Sequence, residues 1–233
     1  GNDFGFSVTV QTNGQILVAG FSSNGSNDDF ALLRYNPDGS LDTGFGALKA
    51  LFSEGSPPVA VDTALTLSDV DNSTLASATV SITSNFQPGQ DVLAFGNDGS
   101  MMDNIVGSYD AGTGVLTLTS SGATATLAQW QAALQAITYT NTSDAPNTAE
   151  RTLSLVVNDG LTTSAAVTKT LTVTATNDAP VISSNGGGAT ATVNVAENTT
   201  AVTTVVATDA DADAVTYAIT GGADQAAFTI NAT

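Results

Sequence analysis

The 233-residue chain has no cysteine and no histidine, and only four basic residues: Arg34, Lys49, Arg151 and Lys169. Without thiolate or imidazole there are no ordinary zinc sites and little transition-metal chemistry. Serine–histidine and cysteine–histidine nucleophile pairs are excluded as well. The lack of cysteine leaves the redox compartment open, since a metal can cross-link a β-protein where disulfides do not. With 22 acids against 4 bases, the formal charge is −18. Such a field repels phosphate backbones and anionic lipid and attracts cations, so nucleic acid and membrane insertion are not expected. Aromatic residues make up 6% of the chain and include one tryptophan, while 42% of residues are hydrophobic. That apolar content suffices for a core and argues against disorder.

What is present is threonine, valine, alanine, serine, glycine, asparagine and aspartate in alternating runs. Ala78-Thr79-Val80-Ser81-Ile82-Thr83 and Lys169-Thr170-Leu171-Thr172-Val173-Thr174 have the period of half-buried antiparallel strands. The expected class is all-β, an antiparallel β-sandwich with one short helix, flanked by an N-terminal hairpin unit and a truncated second sandwich. The chain opens on Gly1-Asn2-Asp3 and closes on strand-like Thr229-Ile230-Asn231-Ala232-Thr233, so it reads as a segment of a longer polypeptide. No signal peptide is evident, and in a segment that says nothing about secretion.

Three units are expected: residues 1–46, 53–176 and 181–233. The first carries strand-like Phe6–Val10, Gln15–Gly20 and Phe30–Tyr35, with turns at Asn13-Gly14 and Asn36-Pro37-Asp38-Gly39. On Gln11–Gly20 and Arg34–Asp42 it resembles a delta-60 repeat, a bacterial blade-like unit. A single blade cannot bury both faces and should be the least stable part. In the second, Thr126 and Gln129 predict a capping box for a helix over Leu127–Ala136, with Leu127, Trp130, Leu134 and Ile137 on one face. Trp130 is expected to anchor that helix on the sheets rather than to stack on sugars. In the third, strands are expected at Ala191–Val195, Val202–Ala207, Val215–Ile219 and Phe228–Ile230, forming an open half-domain, with a loop at Gly186–Gly188.

The acids repeat in order. Glu54 precedes Asp69-Val70-Asp71, and Glu197 precedes Asp209-Ala210-Asp211, with Asn177-Asp178-Ala179-Pro180 between the two copies. Carboxylates two residues apart on an extended segment project to one side, and hard oxygen ligands suit Ca²⁺, which takes about 6 to 8 of them. The competing reading is that these aspartates cap turns and stay solvated. Asp159, in Asn158-Asp159-Gly160, is as well explained by a hairpin turn as by a ligand role.

On Val195-Ala196-Glu197-Asn198, Ala207–Asp211, Val215–Ile219 and Leu171–Pro180 the chain resembles cadherin-type repeats. On Leu134–Asn141, Arg151-Thr152-Leu153 and Asn158-Asp159-Gly160 it is similar to the cadherin-like repeats of large secreted bacterial proteins, adhesins among them. The resemblance implies a calcium site joining Glu54, Asp159, Asn177, Asp178, Asp209 and Asp211, with Asp213 as an extra ligand. The linker is shorter than the family's and lacks an acid at Ala175, which implies fewer or weaker ions.

The function so implied is a non-catalytic, calcium-binding structural and adhesion module of a large extracellular protein, secreted or at the cell surface. Its partners would be neighbouring repeats and a cell-surface protein or glycan. The alternative is a carbohydrate- or ligand-binding domain. An enzyme working through paired carboxylates has only the abundance of aspartate behind it. Asn72-Ser73-Thr74, Asn141-Thr142-Ser143 and Asn198-Thr199-Thr200 match a glycosylation acceptor, a pattern that threonine-rich chains produce by chance.

Overall fold

The computed structural model describes residues 3–12, 14–23, 28–35, 37–39 and 49–232. They form an all-β protein with one α-helix and short 3₁₀ turns. At the N-terminus, β1 (Asp3–Val10), β2 (Ile16–Ser23) and β3 (Asp28–Tyr35) pair as an antiparallel meander. Asn13 and Asn36, each part of an expected turn, lie outside the described residues. Gly14 has φ of +82°, a conformation that glycine adopts without strain, and it lies between the first two strands as expected. Val8 and Val10 are both about two-thirds exposed, as expected of a lone blade.

The core belongs to the stretch from β4 to β12. Its strands are β4 (Ala50–Ser53), β5 (Val59–Ala60), β6 (Ser77–Ser84), β7 (Asp91–Ala94), β8 (Ile105–Asp110) and β9 (Val115–Ser120). Helix α1 (Leu127–Gln135) follows, then β10 (Thr138–Asn141), β11 (Arg151–Asn158) and β12 (Val167–Thr174). One sheet has the order β4-β12-β11-β6-β9-β8 and the other β5-β10-β7. Pairing is antiparallel except between β4 and β12, which run side by side in the same direction. The fold thus starts at Ala50, a little before the expected boundary, because Ala50–Ser53 completes the edge of the larger sheet.

Alternation decides which side chains meet. Along β6, Ala78, Val80 and Ile82 are buried while the intervening Ser and Thr are more exposed. They join Leu116, Leu118, Leu153, Leu171 and Val173 of the same sheet, and Leu93 and Tyr139 of the other, in one apolar cluster. Each valine, leucine or isoleucine among them contributes about 1.5–3 kcal/mol on burial. Phe52 meets Tyr139 edge to face, with ring centroids 5.5 Å apart. The helix carries Trp130, Ala133 and Leu134 into this core, followed by Ile137. Its capping box forms: Thr126 Oγ1 accepts the Gln129 N–H, and Gln129 Oε1 accepts the Thr126 N–H. Trp130 is fully buried and its indole N–H donates to Leu75 O at 3.0 Å, which makes it an anchor and leaves no face for a sugar.

The strand directions give this unit two poles. β4, β10 and β12 end at one pole, and β11 leaves from it. β11 ends at the opposite pole, beside the start of β6.

Beyond residue 180 the outcome differs from expectation. Only β13 (Val181–Ile182) and β14 (Ala207–Thr208) pair, and residues 191–195, 215–219 and 228–230 form no strand. Val193, Val195, Val202, Val206, Phe228 and Ile230 remain well exposed. Alternation states which side chains would share a face, but a ladder also needs a partner edge and a second layer, and among the described residues no facing sheet covers these segments.

Candidate metal site at the linker

The paired ends of β4 and β12 bring Glu54 to the start of the linker. Its own N–H donates to Thr174 O at 3.0 Å, and its Oε2 accepts the Thr176 N–H at 2.9 Å. Two residues on, the Asp178 N–H donates to Asp211 Oδ2 at 2.7 Å. The Asp-x-Asp turn is held in shape from within, since Asp209 Oδ1 accepts the N–H groups of Asp211 and Asp213 at 3.0 and 3.2 Å. The loop after β14 is therefore hydrogen-bonded directly to the linker.

Two oxygens at this pole, Glu54 Oε1 and Asp178 Oδ2, are buried and have no hydrogen-bond partner. The Asp178 carboxyl is held above the usual carboxylate range, first by desolvation and then by the negative charges of Glu54, Asp211, Asp144 and Asp209. Nothing basic offsets them among the described side chains: Lys49 pairs with Glu150, Arg151 with Asp91 and Lys169 with Asp62. Asp144 was not singled out from the sequence. It reaches this pole because the loop from β10 to β11 lies there.

Of the expected ligands, Glu54, Asp178, Asp209 and Asp211 gather at the linker. Asn177 lies beside them, exposed, with its Nδ2 donating to Asp178 O at 2.9 Å. Asp213 is exposed at the end of its turn. Asp159 lies elsewhere. It follows β11 at the opposite pole, eight residues of strand or roughly 26 Å from Arg151. There its Oδ1 accepts the Leu161 and Thr162 N–H groups at 2.7 and 2.6 Å, and its Oδ2 accepts Asn72 Nδ2 at 2.9 Å. These bonds make it a turn residue grouped with Asp69 and Asp71, and those from the Thr162 and Leu161 N–H groups hold its carboxyl below the usual range. Glu197 is exposed.

Among the described residues, no three acidic side chains stand close enough together to hold a metal ion. The single shell implied by the family resemblance is therefore not drawn together, as mutual repulsion of unneutralised carboxylates would have it. The donor chemistry nonetheless fits a hard cation: every donor is oxygen, and two buried oxygens are unpartnered.

The glycosylation-like triplets separate by environment. Asn141 is buried with its Nδ2 on Asp91 Oδ1, Asn72 Nδ2 is engaged by Asp71 and Asp159, and Asn198 is exposed. No helix among the described residues is long and apolar enough to cross a membrane.

Comparison with known proteins adds two findings. A family described as a domain of unknown function (DUF5122) beta-propeller matches residues 11–45, which cover β2, β3 and their connections. The chain is also 37% identical over 95 residues to Halomucin of Haloquadratum walsbyi (strain DSM 16790 / HBSQ001). The match takes in 40% of this chain and 1% of that very long protein. The bladed reading of the N-terminal unit agrees with the first match.

Proposed function

We propose that the chain is a non-catalytic, calcium-binding structural and adhesion module of a large extracellular repeat protein, in which Ca²⁺ stiffens the joint between consecutive β-units. The observation that carries this reading is the linker pole. Asp178 bonds through its backbone to Asp211, while its buried carboxylate oxygen and that of Glu54 lack partners amid four further acidic or polar groups. Glu54, Asp144, Asp178, Asp209 and Asp211 would supply the ligands, with Asn177 in reach. The ion would supply positive charge that Lys49 and Arg151, each paired with another acid, do not give to these carboxylates. Similarity to a very long protein and to a bladed repeat family supports the repeat architecture and the extracellular setting.

Neighbouring repeats are then the first partners, and a cell-surface protein or glycan is a further one. Of the aromatics that a sugar-stacking role would need, Trp130 and Tyr139 are fully buried, Tyr109 is tied to Asp91 O at 2.7 Å, and half-buried Tyr217 accepts the Ala207 N–H at 3.0 Å.

Thermal unfolding tests the proposal. A ligand that binds only the ordered joint raises the midpoint by mass action. The midpoint should rise with millimolar calcium and fall back with chelator. Identical curves in both conditions would refute the reading.

A further inference from the structure

Asp91 and Arg151 form an ion pair with no exposed surface on either side chain, at the linker pole of the core. Asp91 Oδ1 accepts from Tyr139 Oη at 2.5 Å, Asn141 Nδ2 at 2.7 Å and Arg151 Nη2 at 3.2 Å. Asp91 Oδ2 accepts from the Gln87 N–H at 2.8 Å and Arg151 Nε at 3.3 Å. The groups on this carboxylate also grip loop 142–150 at both ends. At its start, Asn141 Oδ1 accepts the Ser143 N–H at 2.9 Å. At its close, Arg151 Nη1 donates to Asn147 O and to Ala149 O, the latter at 2.7 Å. Inside it, Pro146 is buried and Asn147 Oδ1 accepts the Ala149 N–H at 2.8 Å. Asp144 lies between the two grips.

We propose that the buried Asp91–Arg151 pair, with Tyr139 and Asn141, is a positioning device for the linker site: by clamping both ends of loop 142–150 it fixes where Asp144 stands, so calcium affinity depends on side chains that never touch the ion. This rests on the calcium reading above. The physical reason is that a metal shell assembled from mutually repelling carboxylates gains affinity when its ligands are held in place beforehand. Partners one layer out commonly alter metal affinity by about 10- to 100-fold.

The experiment is calorimetric titration of the full 233-residue chain with calcium chloride, for the native sequence, Arg151→Lys, Tyr139→Phe, Asp144→Asn and Arg151→Lys combined with Asp144→Asn. Circular dichroism checks that each is folded at the titration temperature. Lysine keeps the charge but cannot fork between Asp91 and two carbonyls. Arg151→Lys should weaken affinity by about tenfold. In the Asp144→Asn background the same change should have little effect, because the carboxylate being positioned is gone. Amide exchange at Ser143, Ala145 and Ala149 in calcium-free protein should be faster in Arg151→Lys than in the native chain.

If Arg151→Lys does not fold, Tyr139→Phe, which removes one hydroxyl, carries the test with a smaller shift in the same direction. Folded variants with native affinity, or an equal loss with and without Asp144's charge, would overturn the positioning role while leaving calcium binding intact. A native chain that binds no calcium would instead remove the site itself, and the positioning proposal with it.

Discussion

Asp91→Ala is the sharpest test of how the core unit is held together. Asp91 is fully buried and accepts hydrogen bonds from Tyr139, Asn141, Gln87 and Arg151. Removing one partner of a buried ion pair costs about 3–5 kcal/mol, because the remaining charge stays buried and uncompensated. The Tyr139 hydroxyl and the Asn141 amide lose their acceptor as well, at about 1–3 kcal/mol for an unmet buried donor. These terms overlap, so about 5 kcal/mol is the expected loss, against a total of about 5–15 kcal/mol for a typical domain. Asp91→Leu with Arg151→Met removes both charges, and should cost clearly less than Asp91→Ala alone. Denaturant unfolding followed by Trp130, the one tryptophan, reads these differences. A loss below about 1 kcal/mol for Asp91→Ala would refute the argument from burial.

Other consequences are direct. Trp130→Ala should cost about 3–5 kcal/mol through the cavity and the lost bond to Leu75 O, measured by denaturant unfolding with circular dichroism. Thr126→Ala should cost about 1 kcal/mol by removing the helix cap, and Thr126→Ser should recover most of it. Gly114→Ala should destabilise, because φ there is +71° and the added carbon would lie 2.8 Å from the Phe86 ring. The raised pKa of Asp178 sets a pH dependence. In calcium-free protein its contribution is present below the ordinary aspartate value and is lost as pH rises through the higher folded value, so the linker should loosen toward neutral pH. Amide exchange at Thr176 and Asp178 across that range measures it, and Asp178→Asn should flatten the change.

The sequence made some of this legible and hid the rest. Alternation in Ala78–Thr83 and Lys169–Thr174 located β6 and β12, and Thr126 with Gln129 located the helix start, because those signals are local. The same alternation misled at 191–195 and 215–219, where no ladder forms and the Tyr217 N–H makes a lone backbone bond to Ala232 O at 3.1 Å. Arg151 was visible as one of four bases, but nothing nearby in sequence marks Asp91 as its partner 60 residues away. The linker bonds from Asp178 N–H to Asp211 and from Thr176 N–H to Glu54 lie among residues that the family resemblance grouped, whereas no local signal in the sequence marks them. Asp159 went to the opposite pole because β11 carries it there, and Asp144 came to the linker by the same topology. Knowing which end of each strand faces the linker would have exchanged the two.

Whether calcium binds at the linker is read residue by residue in a calcium titration followed by amide nuclear magnetic resonance. Saturable shifts should concentrate at Glu54, Asp144, Thr176, Asp178, Asp209 and Asp211, with half-saturation at about 10⁻⁴ to 10⁻³ M, and none of comparable size at Asp159. Spectra unchanged at those six residues well above that concentration would contradict calcium binding there.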